Sequence, residues 1–427
     1  MTVRVGADAA DGRATRGWRI TLVIAIGRLV AAMSRMLGRG RGHVVGGRVM
    51  VALRPHIVAE LSRGKQLTLV SATNGKSTTT RLIAEAMRTR GPVAHNATGA
   101  NMAPGVASAL ADGRAAGAGA LEVDEAHLPA LAAETQAGVV VLMNLSRDQL
   151  DRGAEVSRLA ARWRTMVEQA DWPLTVVGNA DDPLVTWACL PGRDVCWVAA
   201  GQRWRDDSVL CPACTHTLRH DGADWHCPHC ELRRPRPAWS IEGSAIVPPD
   251  GRQYPVHLRL PGRVNVANAA MAAAAVETWG VAPDAAVAAF ERVEDVDGRY
   301  VEATVDGRRI RLLLGKNPAS WTELIDMVTD AARPLVVAIN ARGADGRDPS
   351  WLWDVPFELL AGRDAWATGE RRFDLAVRLS VAGVTVVGVT ADPLAAAAEA
   401  ARGGAVEAVD MVANYTAFQA VRARVVL

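Results

Sequence analysis

Short apolar runs of strand length alternate along much of the chain with longer stretches of helical spacing. Leu67-Thr-Leu-Val-Ser is apolar enough to be a buried strand, residues 72–76 read as a turn, and residues 77–90 return to a helical period. Further strands are expected at 118–123, which ends in acidic residues, at 137–144 and at 174–179, with helices between them. This alternation predicts an open parallel sheet. Residues 206–236 break the rhythm: they are polar, lack long apolar runs and close on Arg233-Arg-Pro-Arg-Pro. An Ala-rich helix follows at 264–279. After Gly298, which reads as a hinge, strands are expected at 334–340, 365–369 and 384–390. The expected division is a basic lead at 1–45, a central nucleotide-binding α/β domain at 46–297 with an insertion at 206–236, and a C-terminal α/β domain at 298–427.

The lead holds one apolar stretch, residues 20–26, flanked by Arg16, Arg19, Arg28, Arg35, Arg39 and Arg41. It is far shorter than the roughly 20 residues that span a bilayer. No small-residue cleavage site follows closely, so a secretory leader is not expected. Two readings stand: an amphipathic helix docked on the fold, or a basic apolar helix resting on an anionic membrane surface. The 427 residues are 49% hydrophobic and 22% charged with a net charge of +2, so the bulk numbers indicate a soluble globular protein without a nucleic-acid partner. The 13 Trp suggest no chemistry by themselves.

Four of the six Cys form two pairs, Cys211-Pro-Ala-Cys214 and Cys227-Pro-His-Cys230, with twelve residues between them. Two such knuckles can bring four thiolates into a tetrahedron, the arrangement of a closed structural Zn²⁺ site. Four sulfurs leave no open position, so the ion would carry no chemistry. Metal ligation rather than disulfide formation suits a reducing, cytoplasmic setting. The ribbon lacks the dense basic and aromatic face that nucleic-acid binding uses.

Thr68-Leu-Val-Ser-Ala-Thr-Asn-Gly-Lys-Ser-Thr-Thr-Thr carries the clearest chemistry. A strand enters a short loop and a helix, where amide N–H groups and the helix dipole favour an anion. Thr73, Asn74, Gly75, Lys76, Ser77 and Thr78 are the candidate ATP-phosphate contacts, with Lys76 at the β/γ-phosphates and the Ser77 hydroxyl on Mg²⁺. Only the second half of the usual phosphate-loop pattern is present. The loop resembles that of Mur ligases and folylpolyglutamate synthetases, with Ala72 where the family usually has Gly. Glu122-Val-Asp-Glu ends a strand beside this loop, and Glu122 is the candidate Mg²⁺ ligand. Asn144-Leu-Ser-Arg-Asp-Gln-Leu-Asp resembles the corresponding Mur-ligase stretch with Gln149 in place of His, which argues against a standard second Mg²⁺ site.

Pro261-Gly-Arg-Val-Asn-Val-Ala-Asn resembles the Mur-ligase segment whose second Asn, here Asn268, contacts the adenine base. Capping of the following helix by Asn265 and Asn268 is the plainer alternative. Asp297-Gly-Arg299 resembles the family's interdomain Gly-Arg that reaches the phosphates. The ribbon, His95-Asn-x-x-Gly-Ala-Asn-Met, Gly315-Lys-Asn-Pro, Ala344-Asp-Gly-Arg-Asp-x-Ser-Trp-x-Trp-Asp and Ala413-Asn-Tyr-Thr together resemble the Mur-ligase-like subunits of lipid II isoglutaminyl synthases. The resemblance implies ATP-dependent activation of the D-glutamate α-carboxylate of the peptidoglycan stem as an acyl phosphate. Ammonia from a GatD-like glutaminase, the other half of a heterodimer, then attacks. It also implies that Asp348 completes the partner's catalytic triad, and that the protein works in the cytoplasm on lipid II or its stem peptide, at the inner face of the membrane if the N-terminal helix rests there. Cys189 and Cys196 lack glutaminase-like surroundings. The alternatives are a stand-alone amino-acid-adding ligase and a non-catalytic ATP-binding scaffold.

Overall fold

The computed structural model describes residues 8–425 except 38–41, 97–98, 148–155, 260–261, 294–299, 306, 330–332, 344 and 404–407. The apolar stretch of the lead lies within a much longer helix, α1 (Asp8–Met36), which packs against α2 (His43–Leu53). The contact is backbone against backbone: a Cβ on Gly27 would sit 2.9 Å from the Gly46 carbonyl oxygen, and one on Gly46 would sit 2.6 Å from that of Gly27. A third helix, α3 (Ile57–Ser62), leads into the first sheet.

That sheet is all parallel. Its members are β1 (Gln66–Ser71), β2 (Val93–His95), β3 (Ala118–Glu122), β4 (Val139–Leu142), β5 (Thr175–Asn179) and β6 (Asp194–Val198), in the spatial order β2-β3-β1-β4-β5-β6. Crossover helices α4 (Lys76–Met87), α5 (Ala103–Asp112), α6 (Leu128–Thr135), α7 (Val156–Gln169) and α8 (Pro183–Cys189) connect successive strands. Two core clusters form: one includes Leu67, Leu69 and Trp163, the other Val70, Ile83 and Phe290. β1 is central, and every residue of it after Gln66 is buried. The chain leaves β1 between β3 and β4, at the point where the strand order reverses, the usual crevice for ligands in such sheets.

The insertion folds as a small antiparallel hairpin, β7 (Arg219–Asp221) and β8 (Asp224–His226), beside the four paired Cys. Trp225 fastens it to the first sheet by donating from Nε1 to the Ala180 carbonyl at 3.0 Å, and Arg234 pairs with Asp181 at 2.7 Å. A three-stranded antiparallel sheet follows: β9 (Ser240–Glu242), β10 (Ala245–Val247) and β11 (Tyr254–Pro255). Next come α9 (Arg263–Glu277) and α10 (Pro283–Phe290), which pack on α4.

The second large sheet contains β12 (Tyr300–Val305), β13 (Arg308–Leu314), β14 (Leu335–Ala338), β15 (Asp364–Thr368), β16 (Thr385–Thr390) and β17 (Ala408–Ala413), in the order β12-β13-β17-β14-β15-β16. It is parallel except for the β12–β13 hairpin, so it is mixed. Its helices are α11 (Pro318–Thr329), α12 (Arg372–Val381), α13 (Pro393–Ala400) and α14 (Tyr415–Val425). The hinge expected at Gly298 lies outside the described residues.

Candidate functional site: a phosphate loop facing a cleft

The loop after β1 is stapled to the segment after β4. Asn144 accepts from the Asn74 amide and donates to the Asn74 carbonyl, both at 2.9 Å. Thr73 Oγ1 donates to the Ser146 carbonyl at 3.1 Å and accepts from the Ser146 amide at 3.0 Å. Gly75 closes the loop at φ 87°, and an added Cβ would lie 2.6 Å from Asn268 Oδ1 and 2.9 Å from Met143 Cε. Both the backbone conformation and the close approach therefore require glycine there. Ala72 has no such conflict. It is buried, and among the described residues the non-glycine positions with positive φ are Gln136 and Thr215, so its backbone conformation does not call for glycine.

Lys76 opens α4 and is only 7% exposed. Its ammonium folds back on the loop, donating to the Ala72 carbonyl and, at 3.3 Å, to that of Thr73, and it pairs with Glu125 Oε2 at 3.2 Å. Burial pushes the Glu125 carboxyl up from the ordinary range, while Lys76 draws it back down. Trp163 of α7 holds this segment by donating from its indole to the Glu125 carbonyl at 2.9 Å. Ser77 Oγ donates to Glu122 Oε2 at 2.7 Å, and Asn101 donates to Oε1 at 3.2 Å. The Glu122 backbone is clamped on both sides by Asn96, at 2.8 Å each way. A hydroxyl and a carboxylate so held are hard oxygen donors of the kind Mg²⁺ takes.

A cavity of about 190 Å³ adjoins the loop. Asn74, Gly75, Thr78 and Asn268 line it on one side, and Leu313, Ser320, Glu323 and Met327 of the second α/β unit on the other. The units also touch at Asn74 Nδ2, which donates to Asn317 Oδ1 at 3.2 Å. Asn268 is buried and donates to Asn265 Oδ1 at 3.2 Å. Gly262 stands at the start of α9 with no side-chain cap, and both Asn265 and Asn268 line the cavity. Arg299 and Gln149 lie outside the described residues.

Asp348 is not among the cavity-lining residues. It is exposed and caps a short 3-10 helix at 349–353, accepting from the Ser350 amide at 2.9 Å. The loop that carries it is fixed at both ends. On one side Asp345 accepts from the Thr416 amide at 2.9 Å and from its hydroxyl. On the other, buried Arg378 of α12 donates to the carbonyls of Leu352 (3.1 Å) and Val355 (2.7 Å) and pairs with Glu358, holding that carboxyl below its usual range.

In the ribbon all four sulfurs lie within 4.8 Å of one another, with Cys211–Cys230 at 3.6 Å and Cys214–Cys227 at 3.4 Å. These separations are far from a disulfide and close to the edge of about 3.8 Å that a tetrahedral Zn–thiolate centre requires. Burial opposes ionisation of Cys227, but the amides of His229 and Cys230 and the neighbouring thiols outweigh it and bring Cys227 down to about 6. The cluster could hold zinc, and no His belongs to it.

The family described as Mur ligase middle domain matches residues 70–198, and that described as MurT ligase C-terminal matches residues 314–418. Among characterised proteins the chain is 28% identical to the MurT subunit of lipid II isoglutaminyl synthase (glutamine-hydrolyzing) from Streptococcus pneumoniae, over 82% of this chain and 85% of the relative. It is 26% identical to the Staphylococcus aureus subunit of the same description, over 85% and 88%. In fold it is similar to a pseudomurein peptide ligase type C from Methanothermus fervidus, with TM-score 0.65, 18% identity, and 84% and 78% of the two chains covered. Mycobacterium tuberculosis folylpolyglutamate synthase complexed with ADP gives TM-score 0.59 and 15% identity, over 87% and 94%. The parallel sheet lies almost wholly within the part that matches the Mur ligase middle domain and most of the mixed sheet within the part that matches the MurT ligase C-terminal family, so the chain is similar in both halves to MurT subunits.

Proposed function

We propose that this ligase amidates the α-carboxylate of D-glutamate in the stem peptide of lipid II, giving D-isoglutamine during cell-wall synthesis, with ammonia delivered by a GatD-like glutaminase subunit. The observation that carries this reading is the buried Lys76 and the Ser77–Glu122 pair on a loop whose Asn74, Gly75 and Thr78 line a cavity shared with the second α/β unit, in a chain 28% identical to a MurT subunit over 82% of its length. The division of the chain expected from its sequence, at 45 and 297 with the ribbon at 206–236, goes with it.

In the first step a carboxylate oxygen of the substrate attacks the γ-phosphorus of ATP and ADP leaves, forming an acyl phosphate. Ammonia then adds to the acyl carbon, phosphate departs with the C–O bond, and the nitrogen loses a proton. Lys76 exchanges Glu125 and the loop carbonyls for the phosphate oxygens, while the amides of residues 74–78 donate to them. Ser77 Oγ and Glu122 would hold Mg²⁺, which neutralises phosphate charge. Asn268 reads the adenine edge, and the phosphate contact that the family resemblance implies is assigned to Arg299. The four Cys of the ribbon bind Zn²⁺ structurally.

The division of labour with a second subunit is supported by the two remaining cysteines. Burial pushes the Cys189 thiol far up and the Cys196 thiol up to about 11, so neither is a ready nucleophile for glutamine. Asp348 stands on a braced, exposed loop beside exposed Trp353, and Phe373 and Val377 of the neighbouring α12 are also exposed. A partner could cover such a face, and there Asp348 would orient the partner's catalytic histidine. Asp348→Asn separates the two halves of the reaction. With the partner present, glutamine-driven amidation should fall at least about 100-fold, by analogy with the loss of a triad acid, while ammonium-driven amidation stays within about two-fold. Equal loss in both would place Asp348 in the ligase reaction instead.

A further inference from the structure

The two faces of α1 have different surroundings. The close contacts at Gly27 and Gly46 fix the helix's rotation, and Ile24, Ala31 and Ser34 are buried on the docked side. A docked helix should present polar residues outward. Instead Trp18, Leu22, Leu29, Met33 and Met36 are each half or more exposed, and Ile26 is 36% exposed. Their spacing of three and four residues puts them on one stripe opposite the glycine contact. The packed neighbour α2 leaves Val44, Val45 and Arg48 exposed as well.

Charge gives this surface a direction. Residues 12–59 contain nine Arg and neither Asp nor Glu, whereas the whole chain carries only +2, so the remainder is net acidic. Arg19 lies against the Trp18 ring at 5.8 Å, and Arg35 is exposed near the other end of the stripe. Arg28 instead turns toward the body and pairs with Asp112 at 3.2 Å. Among the described residues no helix is long and apolar enough to cross a membrane. An exposed apolar stripe with a basic rim, on a helix too polar to span, suits the interface of an anionic bilayer.

We propose that α1 is a docking surface for anionic phospholipid: the helix lies in the bilayer plane on its Trp18–Met36 stripe, held to the body by the glycine contact on its other side. The surface does not depend on the reaction proposed above. The test is flotation of the full chain with vesicles of phosphatidylcholine alone and of phosphatidylcholine with about 30% phosphatidylglycerol. Binding should favour the anionic vesicles roughly ten-fold, weaken with salt, and fall roughly ten-fold in Leu22→Glu/Leu29→Glu. Both positions are exposed, so circular dichroism and the melting temperature of that variant should match the parent. Arg19→Glu/Arg35→Glu should remove the preference for anionic lipid while keeping the fold. Absence of binding to either vesicle, or binding unchanged in the Leu22→Glu/Leu29→Glu variant, would overturn the proposal. So would light scattering that shows a stable dimer which Leu22→Glu/Leu29→Glu dissociates, because the stripe would then be covered by a second copy.

Discussion

Gly75 and Lys76 concentrate the chemistry of the phosphate loop into two adjacent positions. Gly75→Ala would force an L-residue to φ 87° and drive a methyl against Asn268 and Met143. The conformational part alone costs about 1–2 kcal/mol, so ATP affinity should fall about ten-fold or more in calorimetric titration. Lys76→Ala removes the cation proposed to neutralise the transferring phosphoryl group and should lower ATP turnover about 100-fold or more, with the fold retained. Unchanged turnover would exclude this site. Residues 73–78 were legible from sequence because strand, loop and helix are contiguous. The contacts that hold them were not, even where the residues themselves, Asn96, Asn101 and Asn317, stood in quoted motifs. Asn96 and Asn101 brace Glu122, Trp163 anchors Glu125, and Asn317 meets Asn74 from more than two hundred positions away. Glu125 stood within the quoted acidic run, but only folding reveals that it, rather than Glu122, is the partner of Lys76.

Among the elements, legibility followed unbroken apolar sequence rather than burial: β17 is wholly buried yet was not expected, whereas β16, exposed at alternate positions, was. The wholly apolar strands β4 and β14 announced themselves, whereas β2 has three residues, β6 is half-exposed with Asp194 at its start, and β12 is exposed at alternate positions. β13 and β17 each carry a charged residue in mid-strand, Arg311 and Asp410, which read as breaks in an apolar run. Across the sheet the two are register partners and pair at 3.2 Å. The ribbon was legible because its spacing is nearly sufficient by itself, although its docking was not: Trp225 and Arg234 find partners on the loop after β5. That docking would make a zinc ion held by the four Cys matter beyond its own knuckles. Elemental analysis should find one zinc per chain. Cys214→Ser/Cys227→Ser, or chelation, should lower the melting temperature by roughly 5–10 °C, as expected for a few kcal/mol in a chain this size. A metal-free chain that melts at the same temperature as the purified protein would remove the ion from the account.

On the scale of the whole molecule, the candidate phosphate loop belongs to one α/β unit and the opposite cavity wall to the next, and Asp348 stands exposed on a loop of that second unit without lining the cavity. This layout suits an enzyme that activates a carboxylate in its own cleft and receives its nitrogen from elsewhere. It also explains why four of the six Cys can be committed to a ribbon while the other two lie in environments that disfavour the thiolate. The most direct test is amide formation by the purified chain on a lipid II-type substrate with ATP, supplied with ammonium or with glutamine, each with and without a GatD-like glutaminase. The account predicts product from ammonium with the chain alone, and from glutamine only when the glutaminase is added. Product from glutamine without the partner, turnover that requires an added amino acid in place of ammonia, or no turnover under any of the four conditions would contradict it.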